Sequence, residues 1–136
     1  MPTSAAPSPG VPWAIVVVFG VAGVLHFVIP RTYEQIMPRW VPATGPLGRR
    51  ALVLASGAGE VLGALGVLYG PTRALAGWGL VLLLVAVFPA NLEMLAAARR
   101  VHASRLTLAL LAARLPLQPL MMWWVWDSAV RAARPG

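Results

Sequence analysis

Four apolar runs, separated by short polar breaks, organise this chain. The first extends from about Val11 to Ile29 and stops at Pro30-Arg31. The second is Ala51 to Tyr69, ended by Gly70-Pro71. The third runs from about Thr72 to Leu95 with Pro89 inside it, and the fourth from Leu106 to Trp126 with Pro116 and Pro119 inside. Each is close to the roughly 20 residues that a helix needs to cross a hydrocarbon core at ~1.5 Å per residue. The pattern predicts an all-α fold: a four-transmembrane-helix bundle over residues 11–127. A tail at residues 1–10, expected to be flexible, precedes it, and a second tail at 128–136 follows. The first tail has no basic stretch, so no cleaved signal peptide is expected. Internal proline removes a helical hydrogen bond and bends a membrane helix.

Composition agrees with the pattern. Apolar residues make up 59% of the 136 and charged residues only 11%, against about 45–50% and about 25% in soluble domains. The bilayer is therefore the first partner of this chain. A net charge of +7 does not make it a nucleic-acid binder, because the arginines sit at the ends of apolar runs, where topology signals belong. The first and third loops hold Arg31, Arg39, Arg49, Arg50, Arg99, Arg100 and Arg105; the opposite side holds Arg73, Arg131 and Arg134. That asymmetry predicts cytoplasmic first and third loops, with both termini outside. Trp13, Tyr69, Trp78, Trp123, Trp124 and Trp126 then fall on the other face as an interfacial aromatic belt. In the long first loop, Tyr33, Ile36, Met37, Trp40 and Val41 follow roughly helical spacing between prolines, which predicts a short interfacial helix capping the bundle.

Polar residues inside the runs change the picture further. Glu60 lies at the middle of the second run and Arg114 at the middle of the fourth. A charge at bilayer mid-depth costs at least ~2.5–3 kcal/mol, so such residues are usually paired or functional. Their matching depths make them natural partners, read either as a buried ion pair that fixes helix register or as a ligand or proton site. His26 is the one histidine inside a run, and its neutral ring both donates and accepts. Asn91 follows Pro89, and Gln118 lies one turn beyond Arg114 on the same face. His26, Glu60, Asn91, Arg114 and Gln118 thus form a candidate polar core or ligand site. Ordinary interhelical hydrogen bonding is the competing account. Glu93 is expected at the interface and His102 in a solvated loop. Gly59 with Gly63, and Gly66 with Gly70, have the spacing of close helix packing.

No catalytic template accompanies these residues: there is no phosphate-binding glycine loop, zincin motif or nucleophile elbow. Cysteine is absent, which removes disulfides, thiolate metal sites and cysteine-ligated clusters. Two histidines make an all-protein zinc site improbable, and no cofactor is called for, although a quinone is compatible with the polar core. The stretches AGVLHFVIPRTYEQIMPRWVP (22–42), SGAGEVLGALGVL (56–68), LLVAVFPANLEM (83–94) and RLPLQPLMMWWVW (114–126) together resemble the DoxX-like family of small four-helix membrane proteins. The resemblance implies a bacterial inner-membrane bundle related to a small subunit of a quinone-linked oxidoreductase. That activity does not transfer to a chain without cysteines or an electron carrier. Three functional readings follow. The chain is a non-catalytic membrane subunit or assembly factor for a protein partner or second copy, a binder of a quinone- or lipid-like ligand, or an enzyme using His26 and Glu60 for proton transfer.

Overall fold

The first apolar run forms α1, Trp13–Val28, and Pro30 at the first helical position opens the six-residue α2, Pro30–Gln35. Three longer helices follow: α3 (Arg49–Leu68), α4 (Gly70–Arg100) and α5 (Arg105–Val125), the last continuing as a π-helical turn over Trp126–Arg131. The structure is a computed structural model that describes residues 10–133. Residues 1–9 of the expected tail at 1–10, and Arg134 with residues 135–136, lie outside the described residues. Within them the chain is all-helical, with no strand. Three helices, 49–68, 70–100 and 105–131, are long and apolar enough to cross a membrane. The fourth, α1, has 16 residues and a length of ~24 Å, short of the ~30 Å hydrocarbon core.

Helix ends differ from the apolar runs for local reasons. α4 passes the end of its run at Leu95 and continues to Arg100. Ala96, Ala97 and Ala98 are strong helix formers, and Arg99 and Arg100 suit the negative end of the helix dipole. Only Tyr69, with extended dihedrals, separates α3 from α4. The Thr72 hydroxyl donates to the Gly66 carbonyl at 2.7 Å, and Arg73 Nε donates to the Val67 carbonyl at 3.1 Å. These bonds satisfy carbonyls that a helix C-terminus leaves open. Arg73, read from sequence as a loop arginine, is buried at 7% exposure because it caps α3. Ser104 caps α5 by accepting from the Thr107 amide at 3.1 Å.

The helices pack in chain order: α1 on α3, α3 on α4, and α4 on α5 and the terminal π turn. Their apolar core gathers at the Trp13 end, where Ile15, Phe19, Ala64, Val67, Leu80, Val125 and Ala129 are buried together. The sequence reading ended the bundle at Trp126–Asp127. Instead Ala129 and Val130 are fully buried, seated on Gly77, where an added Cβ would lie 2.9 Å from each. Close approach of α1 and α3 rests on Gly23 and Gly57. A Cβ on Gly57 would come within 2.5 Å of the His26 Cβ, and one on Gly23 within 2.8 Å of the Gly57 carbonyl oxygen. Of the glycine pairs expected from spacing, Gly63 holds Leu80 and Gly66 holds Ala76, whereas Gly59 makes only an ordinary contact with Leu83 and Gly70 faces open space.

Candidate functional site: a polar cavity under the first loop

At the opposite end the helices part. α5 buries no residue before Gln118, and α1 and α5 share no extensive contact. Pro116 and Pro119 lie where α5 stops packing, and Pro89 lies inside α4 at the same end. The space between holds a cavity of about 420 Å3, within the ~300–1,000 Å3 of small-molecule sites. α1 contributes His26, α3 a wall from Leu52 to Glu60, α4 a wall from Leu83 to Met94, and α5 only Arg114. The first loop forms the roof. A series of turns carries the chain from Gln35 to Arg49, among them Val41 N–H to the Pro38 carbonyl at 3.1 Å and Gly48 N–H to the Gly45 carbonyl at 2.9 Å. Gly45 sits at φ +95°, in the left-handed region open to glycine. Tyr33, Met37 and Trp40 line the cavity from above, and buried Val41 pins the roof to the bundle. The expected interfacial helix is thus one short helix followed by turns, folded over the cavity.

Four of the five candidate polar residues meet here: His26, Glu60, Asn91 and Arg114 line the cavity. Gln118 lies behind them, 4% exposed. Asn91 Nδ2 donates to Gln118 Oε1, and Gln118 Nε2 donates to the Leu84 carbonyl, just before Pro89 in α4. Gln118 therefore joins α4 to α5 and holds Asn91 in the cavity wall.

The expected Glu60–Arg114 pair does not form. Glu60 Oε2 lies 3.3 Å from His26 Nδ1 instead. The Nδ1 hydrogen is directed elsewhere, to the Ala22 carbonyl at 2.8 Å. A carbonyl only accepts, so Nδ1 carries the hydrogen and the neutral ring leaves Nε2 as an acceptor. Glu60 Oε2 is buried without a hydrogen-bond donor, and so is the Ser56 hydroxyl one turn before it on α3. The reason is geometric. Depth along a helix sets the level of a residue, but its direction around the helix decides what it meets. Glu60 meets His26 of α1, whereas Arg114 enters the cavity wall from α5. Arg114 is exposed, and its guanidinium makes no ion pair or hydrogen bond with another described residue.

Tyr33 joins the two sides. Its ring stacks on His26 with centroids 3.9 Å apart. Burial pushes its phenol above the ordinary 10.0, the Glu60 charge adds to the rise, and Arg114 opposes it. The phenol thus stays protonated and available as a donor. Sequence reasoning placed Tyr33 on a cap helix without assigning it to the site, and passed over Ser56. The one available signal for Ser56 was its four-residue spacing to Glu60, which puts both on one helix face. Glu93, expected at the interface, pairs with Arg100. His102 lies in the α4–α5 connection with φ 51°. No group of three metal-ligating side chains occurs among the described residues.

A family model for a domain of unknown function, DUF8561, matches residues 15–129. The chain belongs to this family. The match runs from within α1 into the terminal π-helical turn and takes in every residue lining the cavity. No curated protein and no solved structure gives a significant match to the chain.

Proposed function

We propose that this DUF8561 member is an intramembrane binding protein for an amphipathic, quinone- or lipid-like molecule. One observation carries the reading: a cavity of about 420 Å3 lies where the helices part, with His26, Glu60 and Arg114 on its wall and no bond between the acid and the base. A structural ion pair would have closed that space. Apolar walls from α3 and α4 suit a hydrocarbon or ring, and a few convergent polar groups suit its head. Four crossings, with α1 spanning a locally thinned or flanked bilayer, put the roof on the arginine-rich side. On the positive-inside rule that side is cytoplasmic and both termini are outside; a bacterial inner membrane is what the DoxX-like resemblance implies. The resemblance of the His26, Pro89-Asn91 and Arg114-Gln118 stretches to DoxX-like proteins supports the same architecture.

The test is native mass spectrometry of the protein gently extracted from its own membrane, beside an Ala90→Phe variant. Ala90 lines the cavity, and a phenyl ring there narrows it. A small molecule retained by the wild type and lost from the variant supports the reading. A retained protein and no small molecule overturns it.

That second outcome belongs to the other reading, a non-catalytic membrane subunit or assembly factor. It is favoured by a groove of about 330 Å3 along α3 and α4, lined by Gly59, Gly63, Gly66, Thr72, Ala76 and Gly79. Small residues of this kind let another helix approach closely.

A further inference from the structure

Arg114 poses a problem that a purely apolar ligand does not solve. It lies nine residues into α5, ~14 Å along the helix axis from Arg105. A guanidinium keeps its charge under all ordinary conditions and presents five donors with no acceptor. In a membrane such a group pairs with an anion, reaches carbonyls or faces water. The anion at matching depth, Glu60, is turned to His26 at 3.3 Å, and the three other acidic side chains, Glu34, Glu93 and Asp127, are taken by Arg50, Arg100 and Arg131. Every acidic side chain is therefore committed away from Arg114. It is also the single residue that α5 gives to the cavity wall, and it is exposed. The edge of the cavity beside α5 is thus both the open edge and the cationic one.

We propose, resting on the binding reading above, that the cavity selects an amphiphile with an anionic oxygen head, a carboxylate or a phosphate monoester. The head is held by Arg114 at the α5 edge, and the Tyr33 phenol is a second donor. The molecule carries a single chain. A cavity of about 420 Å3 lies near the lower end of the ~300–1,000 Å3 range for small-molecule sites, room for a head and part of one chain. The remainder of the chain leaves through the gap between α1 and α5 into the bilayer. Glu60 and His26 line the same cavity, but the donors that suit an anionic head are the Arg114 guanidinium and the Tyr33 phenol.

Isothermal titration of the full-length protein in nonionic detergent tests this with three probes of one chain length: oleate, oleyl phosphate and oleyl alcohol. The wild type is expected to bind an anionic probe at least about tenfold more tightly than the alcohol, the worth of a hydrogen bond to a charged group. Arg114→Gln is expected to remove that preference while leaving alcohol binding in place, and Arg114→Lys to keep part of it, since it retains charge without the bidentate fork. Whichever anion binds tighter names the head, and either order supports the proposal. Equal affinities for anion and alcohol in the wild type, or a preference that survives Arg114→Gln, overturn the head-group assignment and leave the binding reading intact. If no probe binds and native mass spectrometry retains no small molecule, the binding reading and this proposal fall together. Because Arg114 is exposed and bonded to no described side chain, its substitution leaves the fold in place, which the melting temperature checks.

Discussion

The two ends of this small bundle are built on opposite principles. At the Trp13 end, residues from α1, α3, α4 and α5 meet side chain to side chain, with Ile15, Val67, Leu80 and Val125 fully buried. Gly63, Gly66 and Gly77 there let neighbouring side chains approach closely. At the roof end α5 contributes only Arg114 to the wall, prolines lie inside α4 and α5, and polar side chains face a shared space. Lipid tails are as apolar as leucine, so there is no hydrophobic force between membrane helices, and close packing must hold them. The contrast teaches that the closed end supplies cohesion and thereby lets the open end keep a cavity. Neither end substitutes for the other.

The largest expected effect comes from prising the helices apart at the boundary between the ends. Gly57→Leu places a side chain where even a Cβ would lie 2.5 Å from His26. Overpacking of this kind costs about 3 kcal/mol or more, seen as a large fall in detergent melting temperature together with loss of any bound molecule.

Next, shortening one leucine at each end tests the contrast directly. Leu80→Ala removes a fully buried side chain and is expected to cost about 2 kcal/mol. Leu83→Ala, on the cavity wall, is expected to cost under about 1 kcal/mol, because the space beside it is already open. Equal losses in thermal unfolding would erase the distinction between the ends.

A smaller effect is expected at the α4–α5 link. Gln118→Leu breaks the bonds to Asn91 and Leu84, and membrane hydrogen bonds average about 0.6 kcal/mol, so a loss of about 1 kcal/mol is expected. Double-mutant cycles then separate the polar pairs. Glu60→Gln with Arg114→Gln is expected to be additive within about 0.3–0.5 kcal/mol, whereas Glu60→Gln with His26→Gln is expected to couple by more. Strong coupling in the first cycle would restore the ion pair that the structure lacks.

The smallest effect is a pH limb. Tyr33 is raised above 10.0 when folded, so its contribution to stability is full below the unfolded value and is lost as pH rises through the folded one. Unfolding measured across that alkaline range is expected to show a decline that Tyr33→Phe flattens.

Much of the site was legible because it rests on residue type and depth. An acid, a base, a histidine and an amide inside apolar runs are costly enough to be noticed one by one, and four of the five line one cavity. Prolines at 89, 116 and 119 marked the helices that part. What was not legible was direction. Glu60 and Arg114 share a level along the runs yet do not pair, and both line a space that the runs do not reveal. Gly23 and Gly57 carry the tightest backbone approach, although Gly59 and Gly70 have the more familiar spacing, because a glycine matters only where another helix arrives.

By itself, the sequence determined an all-helical chain of long apolar helices, the arginine and tryptophan distribution at their ends, and the identity of the buried polar residues. These follow from hydropathy and helix period, which are local properties. Only the tertiary structure decided that Glu60 faces His26, that Arg114 stands unpaired at an open edge, that the first loop roofs a cavity, and that Ala129 and Val130 complete the core. Those outcomes depend on rotation and crossing of one helix against another, set by van der Waals fit between distant residues, which no local pattern encodes.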